Sequence, residues 1–213
     1  MSRRAAGWAA GAATAVLVTA GAVTYAVADP GSGAGEAARG TPAADSADAG
    51  FARDMAVHHQ QAVEMSYIVR DHTKNEDVRR LAYDIAQTQA NQRGMLLGWL
   101  DLWGLPKVSA DPPMTWMGMG GTVEAEDGSL MPGMATDTQM RKLATLNGKQ
   151  AEIFYLQLMT NHHKGGIHMA AGCVAKCTVG VEKRLAQGMV DAQRSELRVM
   201  AGMLEERGAE PLP

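Results

Sequence analysis

Two adjacent-histidine pairs recur 104 positions apart, each set in the same methionine frame. The first reads Met55-Ala-Val-His58-His59-Gln-Gln-Ala62-Val-Glu64-Met65. The second reads Met159-Thr-Asn-His162-His163-Lys-Gly-Gly166-Ile-His168-Met169. Imidazole suits several transition metals, and thioether selects Cu(I). The two together point to copper, as Cu(I) or Cu(II), with Met55, His58, His59, Met65, Met159, His162, His163 and Met169 as candidate ligands. At about 100° per residue, each frame and its small residue (Ala62, Gly166) fall on one helical stripe roughly 120° wide. Glu64 and His168 fall on the opposite face. Core packing by Met and Ala, with each histidine hydrogen-bonded across the interior, accounts for one such pair equally well. Two equivalent pairs favour ligation. Gln89 and Gln193, with Gln92 and Glu196 one turn on, are placed to hold the second ring nitrogens, as outer-shell groups do; a solvated polar face is the other reading.

Two further groups could do chemistry. Met114, Met117, Met119, Met131 and Met134 crowd a stretch rich in Gly and Pro, so helical packing does not explain them. They would serve either as a secondary thioether site for Cu(I) or as an adaptable apolar lid. Cys173 and Cys177 are the only cysteines. In an exported chain a local disulfide is the first expectation, although four positions along a helix is near the upper reach of the bond. Separate thiols or a second copper site are the alternatives.

The elements that must position these residues are helices. Periodicity predicts helices over about 47–71, 76–103 and 179–207. A further helix is capped by Thr136 with Gln139 three positions on; it runs to about 176, with a potential break at Asn147-Gly148. Aligning 51–104 on 155–208 without a gap matches both methionine–histidine frames, Arg80-Leu81-Ala82 with Arg184-Leu185-Ala186, Gln89 with Gln193 and Gly98 with Gly202. The chain therefore reads as all-α: a four-helix bundle built from a duplicated helical hairpin, with a long Met-rich crossover loop. Its parts are a first hairpin over 47–104, a connection over 105–135 and a second hairpin over 136–208.

Residues 1–28 read as a targeting segment. Arg3 and Arg4 precede an uncharged run, and Ala26-Val27-Ala28 fits a cleavage site. Residues 5–28 would otherwise serve as a membrane tether. Either case places the body outside the cytoplasm, secreted or anchored. Residues 29–46 have the composition of a flexible linker.

The duplicated His-His frame, the Arg-Leu-Ala and Gln that follow it, and the loop Met131-Pro-Gly-Met134 resemble the family known as domain of unknown function 305. The resemblance covers about 51–208. It implies a ferritin-like helical bundle, an exported protein and, by analogy with some members, copper binding at the eight residues of the two frames. The family's Gln-x-x-Glu followed by Met stands in the second half as Gln193, Glu196 and Met200. The first half departs from it, with Gln89, Gln92 and Leu96.

Composition excludes other classes. Of 213 residues, 20 are basic and 23 acidic, and the basic ones are scattered, so no nucleic-acid partner is expected. Glu-x-x-His motifs for a di-iron centre, a phosphate-binding Gly loop and a nucleophile elbow are all absent from the sequence. The chain is expected to bind rather than catalyse, with a metal ion as its partner. No protein partner is legible.

Overall fold

Each long helix starts and stops where its own residues satisfy the terminal backbone groups. The computed structural model describes residues 40–120 and 127–212. Ser46 opens helix α1 (Ala47–His72) by accepting the Ala49 amide proton on its hydroxyl at 3.2 Å. Asn75 caps α2 (Glu76–Leu102) in the same way, through Val78 at 3.0 Å. Gly104 and Gly208 stand at equivalent places beyond α2 and α5, both with left-handed backbone (φ +64° and +65°). At each, the amide two residues past the cap bonds back to a carbonyl inside the helix: Leu105 to Leu100 at 2.9 Å, and Ala209 to Leu204 at 3.0 Å. These glycine stops are a shared feature of the two hairpins.

The expected capping box is present. Thr136 and Gln139 satisfy each other's backbone at the start of α3 (Asp137–Leu143). The potential break at Asn147-Gly148 is real and wider than one step. The helix stops at Leu143, and α4 (Gly148–Lys176) starts afresh after Asn147, with Gly148 at φ +53°. Helix α5 spans Gly180–Glu206. All regular elements among the described residues are helical, including one 3-10 turn, Thr115–Met117.

Helix α1 packs on α2, α4 packs on α5, and α1 packs on α4. The α1–α4 pair is antiparallel. Asp48 at the start of α1 accepts the Thr178 amide at 2.8 Å, and Ser66 meets the Tyr155 hydroxyl at 3.1 Å. His72 at the end of α1 reaches the Leu146 carbonyl at 2.8 Å. This crossing leaves one apolar cluster on each side of the histidines. One cluster holds Met65, Val69, Ile85, Tyr155, Met159 and Leu204; the other holds Phe51, Met55, Leu96, Leu100, Met169 and Met189.

The connection returns over α1. Met114 and Met131 are fully buried in the second cluster, and Met117, Met119 and Met134 pack partly buried against it. Trp116 donates its indole proton to Asp54 at 2.9 Å and meets Phe51 edge-on at 5.8 Å between ring centres. The end of the linker stretch is also held: the Arg53 guanidinium donates to the Ala44 carbonyl at 2.7 Å and to that of Pro106 at 2.8 Å. The targeting segment, its alternative as a membrane tether at 5–28, and most of the linker lie outside the described residues. Among the described residues no helix is long and apolar enough to cross a membrane.

Candidate metal centre

His58 and His59 project from the middle of α1, and His162 and His163 from the middle of α4; all four side chains are fully buried. His58 and His162 meet across the α1–α4 contact, 3.8 Å between ring centres with their planes tilted by 32°. The partner within each pair stands farther off, 6.4 Å for His58–His59 and 6.3 Å for His162–His163. The layer is therefore a close central pair, His58 with His162, with His59 and His163 near enough to act on it electrostatically.

Every Nε2 in the layer meets an oxygen. His59 meets the Gln92 amide oxygen at 2.9 Å, and His163 meets the Glu196 carboxylate at 2.6 Å. His162 meets the His58 backbone carbonyl at 2.9 Å, and His58 that of Pro132 at 3.3 Å. Such oxygens only accept, so each Nε2 carries the proton and donates. Burial lowers the imidazole pKa to about 4 for His58 and about 3 for His59, and well below the ordinary value for His162. A neutral ring has one N–H. Once Nε2 holds it, Nδ1 presents a bare lone pair, and all four Nδ1 atoms are buried without a hydrogen-bonding partner.

Gln89 and Gln193 join this layer. Both are buried, and neither their amide oxygens nor their nitrogens make a hydrogen bond. The Gln193 amide lies so close over Gly166 that a methyl group there would collide with it. Buried polar atoms in native proteins are almost always partnered, so this many bare atoms in one layer sets it apart from an ordinary core. The expected outer-shell role falls to Gln92 and Glu196, which bind the histidines; Gln89 and Gln193 stay unbonded beside them.

The eight predicted ligands occupy two levels. The four histidines form the layer. Met55 and Met169 lie in the cluster on one side, and Met65 and Met159 in the cluster on the other, all four fully buried. Each side thus receives one methionine from each frame, a consequence of the antiparallel crossing. The histidines are not gathered into a tight three-ligand group. Among the described residues, the His, Cys, Asp and Glu set whose ligand atoms all lie within 4.8 Å of one another is Cys173, Cys177 and Glu182. Cys173 and Cys177 are joined as a disulfide. The reach problem is solved by ending α4 at Lys176, so that Cys177 is an extended cap residue with its Cα 4.8 Å from that of Cys173.

Several contacts at the site were not anticipated from the sequence. Position 61 is Gln in the first frame, and its counterpart 165 is Gly in the second. The Gln61 amide clamps the loop backbone, donating to the Ala135 carbonyl at 2.9 Å and accepting the Ala135 amide at 2.7 Å. Gly165 lets the Pro132 carbonyl press against α4 where any Cβ would collide, and Gly133 (φ +79°) does the same against Asn161. One loop thus seats on two related helices by opposite means and delivers the Pro132 carbonyl to His58. The mismatch of Gln61 with Gly165 was visible in the repeat, but its meaning needs the loop's position. A groove runs between α2 and α5. Glu196, with its side chain 24% exposed, lines it with Asp77, Arg80 and Asp84.

The fold and site define an all-helical protein of two related hairpins around a buried histidine layer. It belongs to the DUF305 family, a domain of unknown function, which matches residues 48–204. It is similar to a DUF305 protein of Streptomyces coelicolor, described as a candidate secreted protein, at 73% identity. That match covers 80% of this chain and 99% of the other, with a TM-score of 0.75. A DUF305 fragment from Deinococcus radiodurans is 29% identical over 75% of this chain and 96% of its own, with a TM-score of 0.62. CopM, solved in a Cu(I)-bound form, shares the fold at 18% identity and a TM-score of 0.56, covering 75% of this chain and 96% of its own. No curated protein matches the chain.

Proposed function

We propose that this protein binds copper outside the cytoplasm and sequesters it or passes it on, through the histidine layer and its flanking methionines. The observation that carries the reading is the set of four buried imidazoles whose Nε2 atoms all meet oxygens and whose Nδ1 atoms all lack a hydrogen-bonding partner. A ligating imidazole is commonly held this way, its other nitrogen donating to a carbonyl or carboxylate. With the four nitrogens spread along the layer, each ion would be held by one or two imidazoles, with a thioether from the adjoining cluster completing the set. Imidazole accepts either oxidation state, and thioether favours Cu(I). CopM supports the reading because a protein of this fold has been solved with copper in both the Cu(I)-bound and Cu(II)-bound forms. The secreted description of the Streptomyces relative supports the location. On this reading the four long helices make a ferritin-like four-helix bundle, no catalytic step is assigned, and the loop methionines act chiefly as a lid.

A copper titration of the full chain against a competing chelator tests the proposal. Replacing His58, His59, His162 and His163 together by Ala should abolish tight binding; unchanged affinity rejects the site.

One observation favours a second reading, a structural or interaction module without metal. Every histidine bond joins two separate elements: α1 to α2, α4 to α5, α4 to α1, and α1 to the loop. The two readings part on thermal stability. A ligand held only by the folded state raises the midpoint with its concentration, whereas a staple without metal predicts no such shift.

A further inference from the structure

The second hairpin departs from the first at three places that meet in space. Cys173, Cys177 and Glu182 stand where the first hairpin has Val69, Thr73 and Val78. In the first hairpin these positions are plain packing: Val69 and Val78 are fully buried, and Thr73 donates its hydroxyl proton to Glu152 at 2.6 Å. In the second, two sulfurs and a carboxylate oxygen lie within 4.8 Å of one another, and all three residues are buried. The duplicated fold does not need these residue types there, since its other half is built without them.

Glu182 is the oddity. It is fully buried in the first turn of α5; no donor reaches either carboxylate oxygen, and its polar neighbour is the Asp48 carboxylate. It is not needed as a cap. Asp48 of α1 does that work, accepting the Thr178 and Val179 amides at 2.8 and 2.7 Å. A buried carboxylate facing a second carboxylate is costly. Burial, reinforced by the neighbouring Asp48 carboxylate, pushes the Glu182 pKa up to about 9. Its aim at two sulfurs has a purpose once those sulfurs are thiolates.

We propose that Cys173, Cys177 and Glu182 form a second metal site, closed while the disulfide is intact and opened by its reduction, that takes a divalent d10 cation of the zinc and cadmium class through two thiolates and one carboxylate oxygen. A dithiol reductant transfers two electrons and two protons to the Cys173–Cys177 bond and is itself oxidised to a cyclic disulfide. Metal capture then releases one proton from each thiol, leaving two thiolates beside the Glu182 carboxylate. The three ligands carry three negative charges, against two positive charges on the ion. A tetrahedral zinc ion with Zn–S near 2.3 Å wants its sulfurs roughly 3.8 Å apart. Cys177 can supply that opening because it lies just beyond the last helical residue, in extended backbone (φ −61°, ψ 150°). Two thiolates and one carboxylate leave a fourth position for water. This proposal does not depend on the copper reading, because none of its ligands belongs to the histidine layer.

The test is Cd(II) titration of the full chain, with and without prior reduction by dithiothreitol and its anaerobic removal. The readout is the ultraviolet thiolate-to-Cd(II) charge-transfer band, which imidazole and thioether do not produce. The reduced protein should develop the band to one equivalent, and the oxidised protein none. Bound Cd(II) should also shield both cysteines from iodoacetamide. Glu182→Gln should retain the band but weaken binding by at least about tenfold, since losing a direct ligand costs no less than losing an outer-shell one. If the reduced protein gives no band, or gives one without protection of both cysteines, the site does not exist. If Glu182→Gln binds as tightly as the parent, the three-ligand assignment is overturned.

Discussion

Replacing His58 by Gln should change how stability responds to acid by a calculable amount. His58 is fully buried, and burial lowers its pKa from 6.5 to about 4. In the unfolded chain it takes up a proton below pH 6.5, and in the fold it does not until about pH 4. The unfolded state therefore binds more protons across that window, and stability falls as pH falls through it. Between pH 7 and 5 the loss attributable to His58 is about 2 kcal/mol; carried below pH 4 it approaches about 3.4 kcal/mol, at 1.36 kcal/mol per pKa unit. His59, lowered to about 3, adds a similar loss over the same interval, and His162 works in the same direction. Glu182 opposes them. Its pKa is raised from 4.5 to about 9, so it stabilises the fold increasingly as pH drops toward 4.5, by about 2 to 3 kcal/mol from pH 7 to 5. The histidines win on balance, but the cleaner quantity is the difference between parent and variant, from which Glu182 cancels. Urea unfolding of the metal-free protein at pH 7, 6 and 5, followed by circular dichroism, measures it. The stability of the parent minus that of His58→Gln should fall by about 2 kcal/mol between pH 7 and 5. A constant difference would mean that His58 is not held neutral by burial, and the bare Nδ1 argument would fail with it.

Two shorter predictions probe the loop and the asymmetry of the layer. Gly165→Ala should destabilise by about 1–3 kcal/mol and weaken copper binding, because the new methyl meets the Pro132 carbonyl and moves the loop off His58. Gly98→Ala, in a helical position with open space around it, should instead stabilise by up to about 1 kcal/mol in the same urea assay. Glu196→Gln makes the second half resemble the first, where Gln92 holds His59. Competition titration should show copper affinity lower by roughly tenfold, and the reverse change, Gln92→Glu, should raise it.

Most of the helical pattern is legible in the sequence. Caps and stops are local, so Thr136 with Gln139 and the glycines 104 and 208 marked helix ends from neighbouring residues alone. The repeat was equally plain, because matching His-His frames need only counting. The linear chain also placed Met55, His58, His59 and Met65 on one stripe, since helical rotation is a property of spacing. Other facts were set by which helices meet and in which direction. The antiparallel α1–α4 crossing sets His58 against His162 and sorts the methionines so that each cluster takes one from each frame. The loop methionines read equally as ligand candidates or as an apolar lid, in a segment without a core of its own; the structure gives them one, because the loop folds back over α1 and buries Met114 and Met131. Glu182 drew no notice, for an acid in a first helical turn is ordinary; only its depth beside Cys173 and Cys177 makes it unusual. Sequence alone determined the helices, their ends and the twofold repeat, because those depend on residues a few positions apart. Tertiary structure decided which nitrogens were left bare and which sulfurs meet an acid, because burial and partnership are made between segments about a hundred residues apart.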